Sequence, residues 1–267
     1  MTLHSVCLFR ENVAMAVLGI DIGGTGIKAA PVDTESGALL AERYRVETPQ
    51  PSSVVAFAPL IQEIVDHFQW QGEVGCGYPG VIRRGTVFTA ANLDSTWVGL
   101  DAAQFFGNLT GLPFYFVNDA DAAGLAEMHF GAGMGHRGVV LVLTIGTGIG
   151  TALFVDGQLV PNLEFGHLKI RGKDAEHRAS NKVRVDRQLS WKKWSRRLNE
   201  YLMHMENLFW PDLIIIGGGV SKSFVKFAPH LTTRAPIVVA KMFNDAGIVG
   251  AAMTSMHPES TGEAHGG

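Results

Sequence analysis

"LGIDIGGTGIKAAPVD" (residues 18–33) sets four glycines in an apolar run that also carries Asp21 and Lys28. Such a loop holds the diphosphate of a dinucleotide, holds a phosphate in transit, or is a tight hairpin with no ligand. "GTGIKA" formally satisfies the dinucleotide fingerprint G-x-G-x-x-A. That fingerprint requires a strand, the glycines, and then a helix whose N-terminus meets the pyrophosphate. Pro31 would lie inside the supposed helix, where its missing N–H and ring clash cost about 3 kcal/mol. The residues that follow, "APVDTESG", read as an extended segment and a turn. No G-x-x-x-x-G-K-[ST] occurs, which excludes a P-loop.

The second half of the chain repeats the pattern in "LTIGTGIGTALFVDG" (residues 143–157). The repeated unit is therefore strand, glycine turn, strand. Glycines let backbone N–H groups approach phosphate oxygens, and threonine hydroxyls add donors. Gly23, Gly24 and Thr25 in the first turn, with Thr144, Gly146, Thr147 and Gly148 in the second, are the expected phosphate contacts. Two such hairpins facing each other would grip a phosphate chain from both sides. Asp21 would then lie near Mg²⁺, because a carboxylate beside phosphate needs a cation between them. Lys28 is either a phosphate contact or a surface charge on the hairpin.

Composition narrows the class. The chain has 267 residues, 46% hydrophobic and 18% charged, enough for two globular domains. A net charge of -3 supports neither a nucleic-acid surface nor a polybasic membrane anchor. Cys7 and Cys76 are the only cysteines, too few for a disulfide scaffold, and they fit a reducing cytoplasm. "MTLHSVCLFRENVAM" breaks its apolar stretch at Arg10 and Glu11 and makes a poor signal peptide. Residues 138–155 are uncharged, but their glycines and β-branched residues indicate strand, turn, strand rather than a membrane helix.

Along the chain, "AVLGI" and "IKAAPVD" read as strands and "ALLAERYRV" as a third extended segment. Residues 54–68 place Val54, Ala58, Ile61, Val65 and Phe68 on one helical face. "EVGCG" is a short strand ahead of the turn at Pro79 and Gly80. "GLPFYFVND" is a strand that stops at Asn118 and Asp119, where a helix begins. Residues 162–187 are polar with little period, and 189–209 form an amphipathic helix with Leu189, Trp194, Leu198, Tyr201, Met205 and Leu208 on its apolar side. "DLIIIGGG" is a buried strand running into glycines, and a small-residue helix occupies about 244–256. The tail from His257 onward reads as frayed.

"DIGGTGIK", "GYPGVI", "AANLDSTW", "VNDADAAGLAE", "LTIGTGIG", "EFGH" and "IIIGGGVSKS" occur in an order that resembles the sugar kinases of the ROK group. From about Val17 to Met253 the chain is similar to the polyphosphate glucokinases within that group. The resemblance implies the actin/hexokinase/Hsp70-like ATPase fold, with two α/β domains around a central cleft. The expected domains are residues 1–117 and 118–267, the last helix packing back on the first. It also implies transfer of a phosphoryl group to the 6-hydroxyl of glucose, with mannose as a second acceptor.

Asp119 matches the family's catalytic base. From the residues alone, Asp119 or Asp121 as an ordinary helix cap is the alternative. The resemblance assigns the sugar hydroxyls to Gly80, Asn92, Asn118, Asp119, Glu164, His167 and Glu176, and the nucleoside of ATP to Gly218 and Gly219. Trp97 is either a platform for the sugar ring or a core residue. Many ROK kinases hold the region after the histidine with a zinc bound by cysteines. Here "RGKDAEHRAS" replaces that segment, so a structural zinc is not expected. The polyphosphate glucokinases share this loss.

The donor is expected to be polyphosphate or ATP, with Mg²⁺. Alternatives are an ATP-only hexose kinase and a sugar-sensing regulator on the same fold. Polyphosphate needs positive charge along its path, for which Lys28, His136, Arg137, Arg171, Lys173, Lys182, Arg184 and "KKWSRR" (192–197) are available. A homodimer is expected from the resemblance. It is expected also because residues 191–210 carry Trp191, Trp194, Met203, Met205, Phe209 and Trp210, more large apolar groups than one stripe needs.

Overall fold

The computed structural model describes residues 15–256. The N-terminal stretch, Cys7 and the tail therefore lie outside the described residues. The chain forms two compact units: one runs to Ala122 and takes in the chain from Gly247 onward, and the other is Ala123–Ala246. The break falls inside a helix rather than between residues 117 and 118, where the sequence suggested it.

The first unit holds β1 (Ala16–Ile22), β2 (Ile27–Asp33), β3 (Tyr44–Val46), α1 (Val54–His67), β4 (Val74–Tyr78), the small hairpin β5 (Ile82–Arg83) and β6 (Thr86–Val87), α2 (Ala102–Thr110) and β7 (Phe114–Asn118). α3 (Asp119–Phe130) follows directly on β7. The sheet order is β3-β2-β1-β4-β7, with β1, β2 and β3 antiparallel and β4 and β7 added parallel to β1. Of "ALLAERYRV", Tyr44–Val46 forms a strand of the sheet and Leu39 makes an isolated bridge to Val32 on β2. α1 is started by Ser53, whose side chain accepts from the Ala56 N–H, and it buries Val54, Phe57, Ile61, Ile64 and Val65. Ala58 and Phe68, placed on that face by the periodicity, are only partly buried.

The second unit continues with β8 (Val139–Ile145), β9 (Ile149–Val155), β10 (Gln158–Val160), β11 (Lys169–Ile170), β12 (Lys173–Asp174), α4 (Glu176–Ala179), α5 (Asn181–Asp186), α6 (Trp191–Phe209), β13 (Leu213–Gly217) and β14 (Ile237–Val239). Its sheet order, β10-β9-β8-β13-β14, repeats the first: two antiparallel pairings, then two parallel ones. The twice-written glycine motif is thus one topological unit used twice. Residues 162–187, unpatterned in sequence, hold β11, β12, α4 and α5 and a short 3₁₀ turn at Phe165–His167.

α7 (Ala246–Met253) packs within the first unit because its glycines, and those facing it, leave no room for side chains. A Cβ on Gly19 would lie 2.1 Å from Ile248 O, one on Gly75 1.9 Å from Ala251 O, and one on Gly250 1.6 Å from Ala122 O. Trp97 is fully buried among Phe57, Tyr78 and Phe106 and donates its indole N–H to Ser52 O at 2.9 Å. It is a core residue. Truncating a side chain of this kind costs about 3–5 kcal/mol. Trp194 and Met205 are likewise fully buried, in the core beneath α6. Two of the six apolar groups that suggested a dimer are therefore internal. Among the described residues no helix is long and apolar enough to cross a membrane.

Candidate active site

Both glycine clusters are turns that run into a strand. Gly23 N–H donates to Gly26 O at 3.1 Å, and Ile22 pairs with Ile27. In the second unit Gly146 N–H donates to Gly148 O at 3.0 Å, and Ile145 pairs with Ile149. Neither precedes a helix, so the dinucleotide geometry is absent from both. Gly24, Thr25 and Thr147 are exposed at the tips, while Gly146 and Gly148 are partly buried.

Beside the first turn, Asp21 and Lys28 are register partners across β1 and β2, with Nζ 3.0 Å from Oδ2. Lys28 is thus engaged by Asp21, an outcome that neither expected role for it included. A Cβ on Gly247 would come within 2.8–3.0 Å of the Asp21 carboxyl, so glycine at the start of α7 makes the space this carboxylate occupies. Arg45, on β3 opposite Lys28, donates to Thr25 O at 3.4 Å and lies against Gly26. It adds a cation beside the turn. Its only signal in the sequence was an alternating position in a short strand.

The end of β7 carries the second group. Asn118 Oδ1 accepts from the N–H groups of Ala120 at 2.9 Å and Asp121 at 3.1 Å, and its Nδ2 donates to Gly80 O at 3.1 Å. Asn118 is the cap of α3. The neighbouring Asp119 is half-buried. Asp121 is fully buried. Gly80 sits where a Cβ would lie 2.5 Å from Thr89 O, so the turn after β4 closes only with glycine. Asn92 is exposed in a bend.

In the second unit Glu164, His167 and Glu176 gather beside the Gly146–Gly148 turn. Gly166 holds their 3₁₀ turn against β9, since a Cβ there would lie 2.2 Å from Ile149 O. Thr151 fixes the same turn by donating to Leu163 O at 2.5 Å and accepting from Phe165 N–H at 3.2 Å. His167 Nε2 is 3.8 Å from Glu164 Oε2, and its Nδ1 is 3.9 Å from Glu176 Oε1. The other oxygen of Glu176 accepts from Ile149 N–H at 3.4 Å, placing this carboxylate directly at the glycine turn. Burial, reinforced by the charge of Glu176, raises the Glu164 carboxyl above its ordinary range against the opposing effect of His167.

Asp174 was missed in the sequence. It accepts from His167 Nδ1 at 3.1 Å and pairs closely with Lys169, and these two hydrogen bonds hold its carboxyl below the usual range. Nothing in "RGKDAEH" marks it; only the β11–β12 pairing of Lys169 with Asp174 brings it to the histidine.

Gly217–Gly219 follow β13. Gly218 has φ +74°, and a Cβ there would lie 2.6 Å from Ile145 O, so this turn rests on the base of the second hairpin. Gly219 faces open space. Among the described residues no group of three or more His, Cys, Asp or Glu side chains is placed to hold a metal ion.

The ROK family profile matches residues 17–180. Polyphosphate glucokinase from Mycobacterium tuberculosis is 47% identical over 239 residues, covering 89% of this chain and 90% of the relative. The solved inorganic polyphosphate/ATP-glucomannokinase from Arthrobacter sp. strain KM is 47% identical, with a TM-score of 0.84 over 89% of this chain and 97% of the other. A ROK family glucokinase from Streptomyces griseus, solved with glucose and AMPPNP, is 26% identical. Its TM-score is 0.76 over 89% of this chain and 98% of its own.

Proposed function

The chain belongs to the ROK family, and we propose that it transfers a phosphoryl group from inorganic polyphosphate or ATP to the 6-hydroxyl of glucose. Its two α/β units are of the actin/hexokinase/Hsp70-like class. The donor follows from the relatives, a polyphosphate glucokinase and a polyphosphate/ATP-glucomannokinase. Mannose is accordingly the second acceptor.

The observation that carries the chemistry is the position of Asp119, at the junction where β7 ends and α3 begins. Asn118 caps α3 by accepting from the N–H groups of Ala120 and Asp121, and the half-buried Asp119 beside it is the residue that matches the family's catalytic base. Asp119 accepts the proton of the 6-hydroxyl as that oxygen bonds to the terminal phosphorus and the bond to the bridging oxygen breaks. The leaving group is ADP or a polyphosphate one unit shorter. Glu164, His167 and Glu176, with Gly80, Asn92 and Asn118, hold the ring hydroxyls. Carboxylates suit this work because each accepts from adjacent hydroxyls, and an analogue lacking one leaves the carboxylate unpaired. The N–H groups of the two glycine turns, with Thr25, Thr144 and Thr147, receive the phosphates, and Gly218 and Gly219 approach the nucleoside of ATP.

Mg²⁺ fits this donor set, because it takes most of its ligands from phosphate oxygens and water and needs only one or two protein carboxylates. Asp21 is that carboxylate, kept in place by Lys28 and by the space at Gly247. The ion would neutralise charge on the transferring group.

The proposal includes a homodimer. Leu208 and Trp210 at the end of α6 stay 61% and 67% exposed, with Arg234 stacked 3.7 Å over the Trp210 ring. Light scattering that shows only a monomer at micromolar concentration rejects it.

The test of the reaction is glucose 6-phosphate formation by purified protein given either nucleotide-free polyphosphate or ATP. Turnover with ATP but with no polyphosphate of any length leaves an ATP-only hexose kinase. Glucose binding with no turnover from either donor favours a sugar-sensing regulator.

A further inference from the structure

Residues 178–197, from Arg178 to Arg197, hold eight of the chain's 22 lysines and arginines and only one carboxylate, Asp186. The chain as a whole carries -3, so this concentration is local and is offset elsewhere. Charge segregated in this way raises the local concentration of an anionic ligand. The segment starts at the phosphate turn: Lys182 N–H donates to Gly146 O at 3.1 Å. From there α5 leads away from the turn and α6 begins.

Several of these cations are held in place. Arg184 Nε donates to Asn181 Oδ1 at 3.0 Å, and its guanidinium stacks 4.0 Å over the Trp191 ring. Lys226 brings a further ammonium 5.8 Å from the same ring. Arg178 is fixed by Glu200, which also takes Arg171. Lys182 pairs with Asp186, the one carboxylate within residues 178–197. Burial, then the nearby charges of Arg187 and Arg178, makes the Arg197 guanidinium less favourable than usual. A cation in that position is stabilised by an anion, and the protein places other cations there instead.

We infer that residues 178–197 form a track for the polyphosphate chain, running from the Gly146–Gly148 turn across α5 to the first turns of α6. This rests on the donor reading above and extends it to the part of the donor beyond the reacting phosphates. Polyphosphate has no base or ribose to recognise, so a row of cations at the exit of the phosphate turn is the recognition its chemistry allows. Arg187, exposed at the end of α5, and Arg197, partly buried on α6, are the test positions, one from each helix of the track.

The experiment compares wild type with Arg187→Glu/Arg197→Glu and Arg187→Lys/Arg197→Lys. Long-chain polyphosphate, tripolyphosphate and ATP each serve as donor, and long-chain binding is followed separately by tryptophan fluorescence. The Glu pair should raise KM for the long chain about tenfold relative to KM for ATP, with tripolyphosphate following ATP. The Lys pair should restore most of the difference, and added salt should weaken long-chain binding to wild type more than to the Glu pair. Long-chain and ATP KM values that move together, or do not move, overturn the track. A wild type that binds long-chain polyphosphate in this charge-dependent way but turns over only ATP overturns the donor reading and leaves the track standing. Displacement of polyphosphate by a polynucleotide at equal phosphate concentration assigns the surface to nucleic acid and overturns the proposal.

Discussion

Asp174 Oδ2 lies 3.1 Å from His167 Nδ1, and Lys169 pairs with the same carboxylate. An ionised carboxylate can only accept, so Nδ1 carries the proton and Nε2 is the nitrogen left for a sugar hydroxyl. Asp174 is therefore a positioning residue for His167. Asp174→Ala should raise KM for glucose about tenfold while kcat changes little, since a hydrogen bond to a charged group contributes about 1.5–3 kcal/mol and His167 is half exposed. Asp174→Asn, which can still accept at Nδ1, should recover part of the loss. Steady-state kinetics on both variants checks this, and equal losses in KM and kcat would contradict it.

Asp119→Asn removes the proton acceptor while keeping the shape. It should lower kcat by about 10² or more with both donors and leave KM for glucose within about twofold. Isothermal titration with glucose separates binding from turnover. Near-normal turnover would remove Asp119 from the role.

Gly218→Ala tests the base of the second phosphate turn. The backbone at Gly218, φ +74° and ψ -177°, is one that only glycine adopts without strain. The added Cβ would also meet Ile145 O at 2.6 Å, a backbone atom that cannot swing aside. Folding should be weaker by about 2–4 kcal/mol, and KM should rise for both donors. Thermal unfolding reads the first effect and kinetics the second.

Glu164 makes stability depend on pH. Its folded-state carboxyl is raised, chiefly by burial. Below the ordinary glutamate value both folded and unfolded chains hold the proton. Between the ordinary and the raised value only the folded chain does, so stability is lost as pH rises through that window. Glu164→Gln should remove this slope, which denaturant titrations of the two proteins from pH 4 to 7, roughly the range around a glutamate, would show. The acid limb of kcat/KM for glucose should also lie above the ordinary glutamate range, because the carboxylate form is the one that accepts from hydroxyls.

The strand–turn–strand reading of both glycine clusters came from Pro31 and from the absence of any helical pattern after the glycines. These are local effects, and the paired registers Ile22–Ile27 and Ile145–Ile149 agree with them. The helix starting at Asp119 was equally local, since a buried strand ended there and an Asn-Asp pair followed. Family membership was legible for the same reason, because each motif is contiguous in the chain.

Side-chain partnerships that depend on two distant segments were not legible. Lys28 read equally as a phosphate contact or a surface charge, and only the β1–β2 register set it opposite Asp21. Trp97 read equally as a ring platform or a core residue, and the packing of α1 and α2 over it with Phe57 and Phe106 decided for the core. Residues 162–187 showed no period because their elements are two to six residues long, too short for a repeat to register, and are placed by packing on β9 and α6. Asp174 reaches His167 through that packing, and Lys182 reaches Gly146 the same way. Sequence alone determined the longer strands and helices, whose causes lie within a few residues. Tertiary structure decided which charges meet, because that depends on register and on contacts between segments the chain order keeps apart.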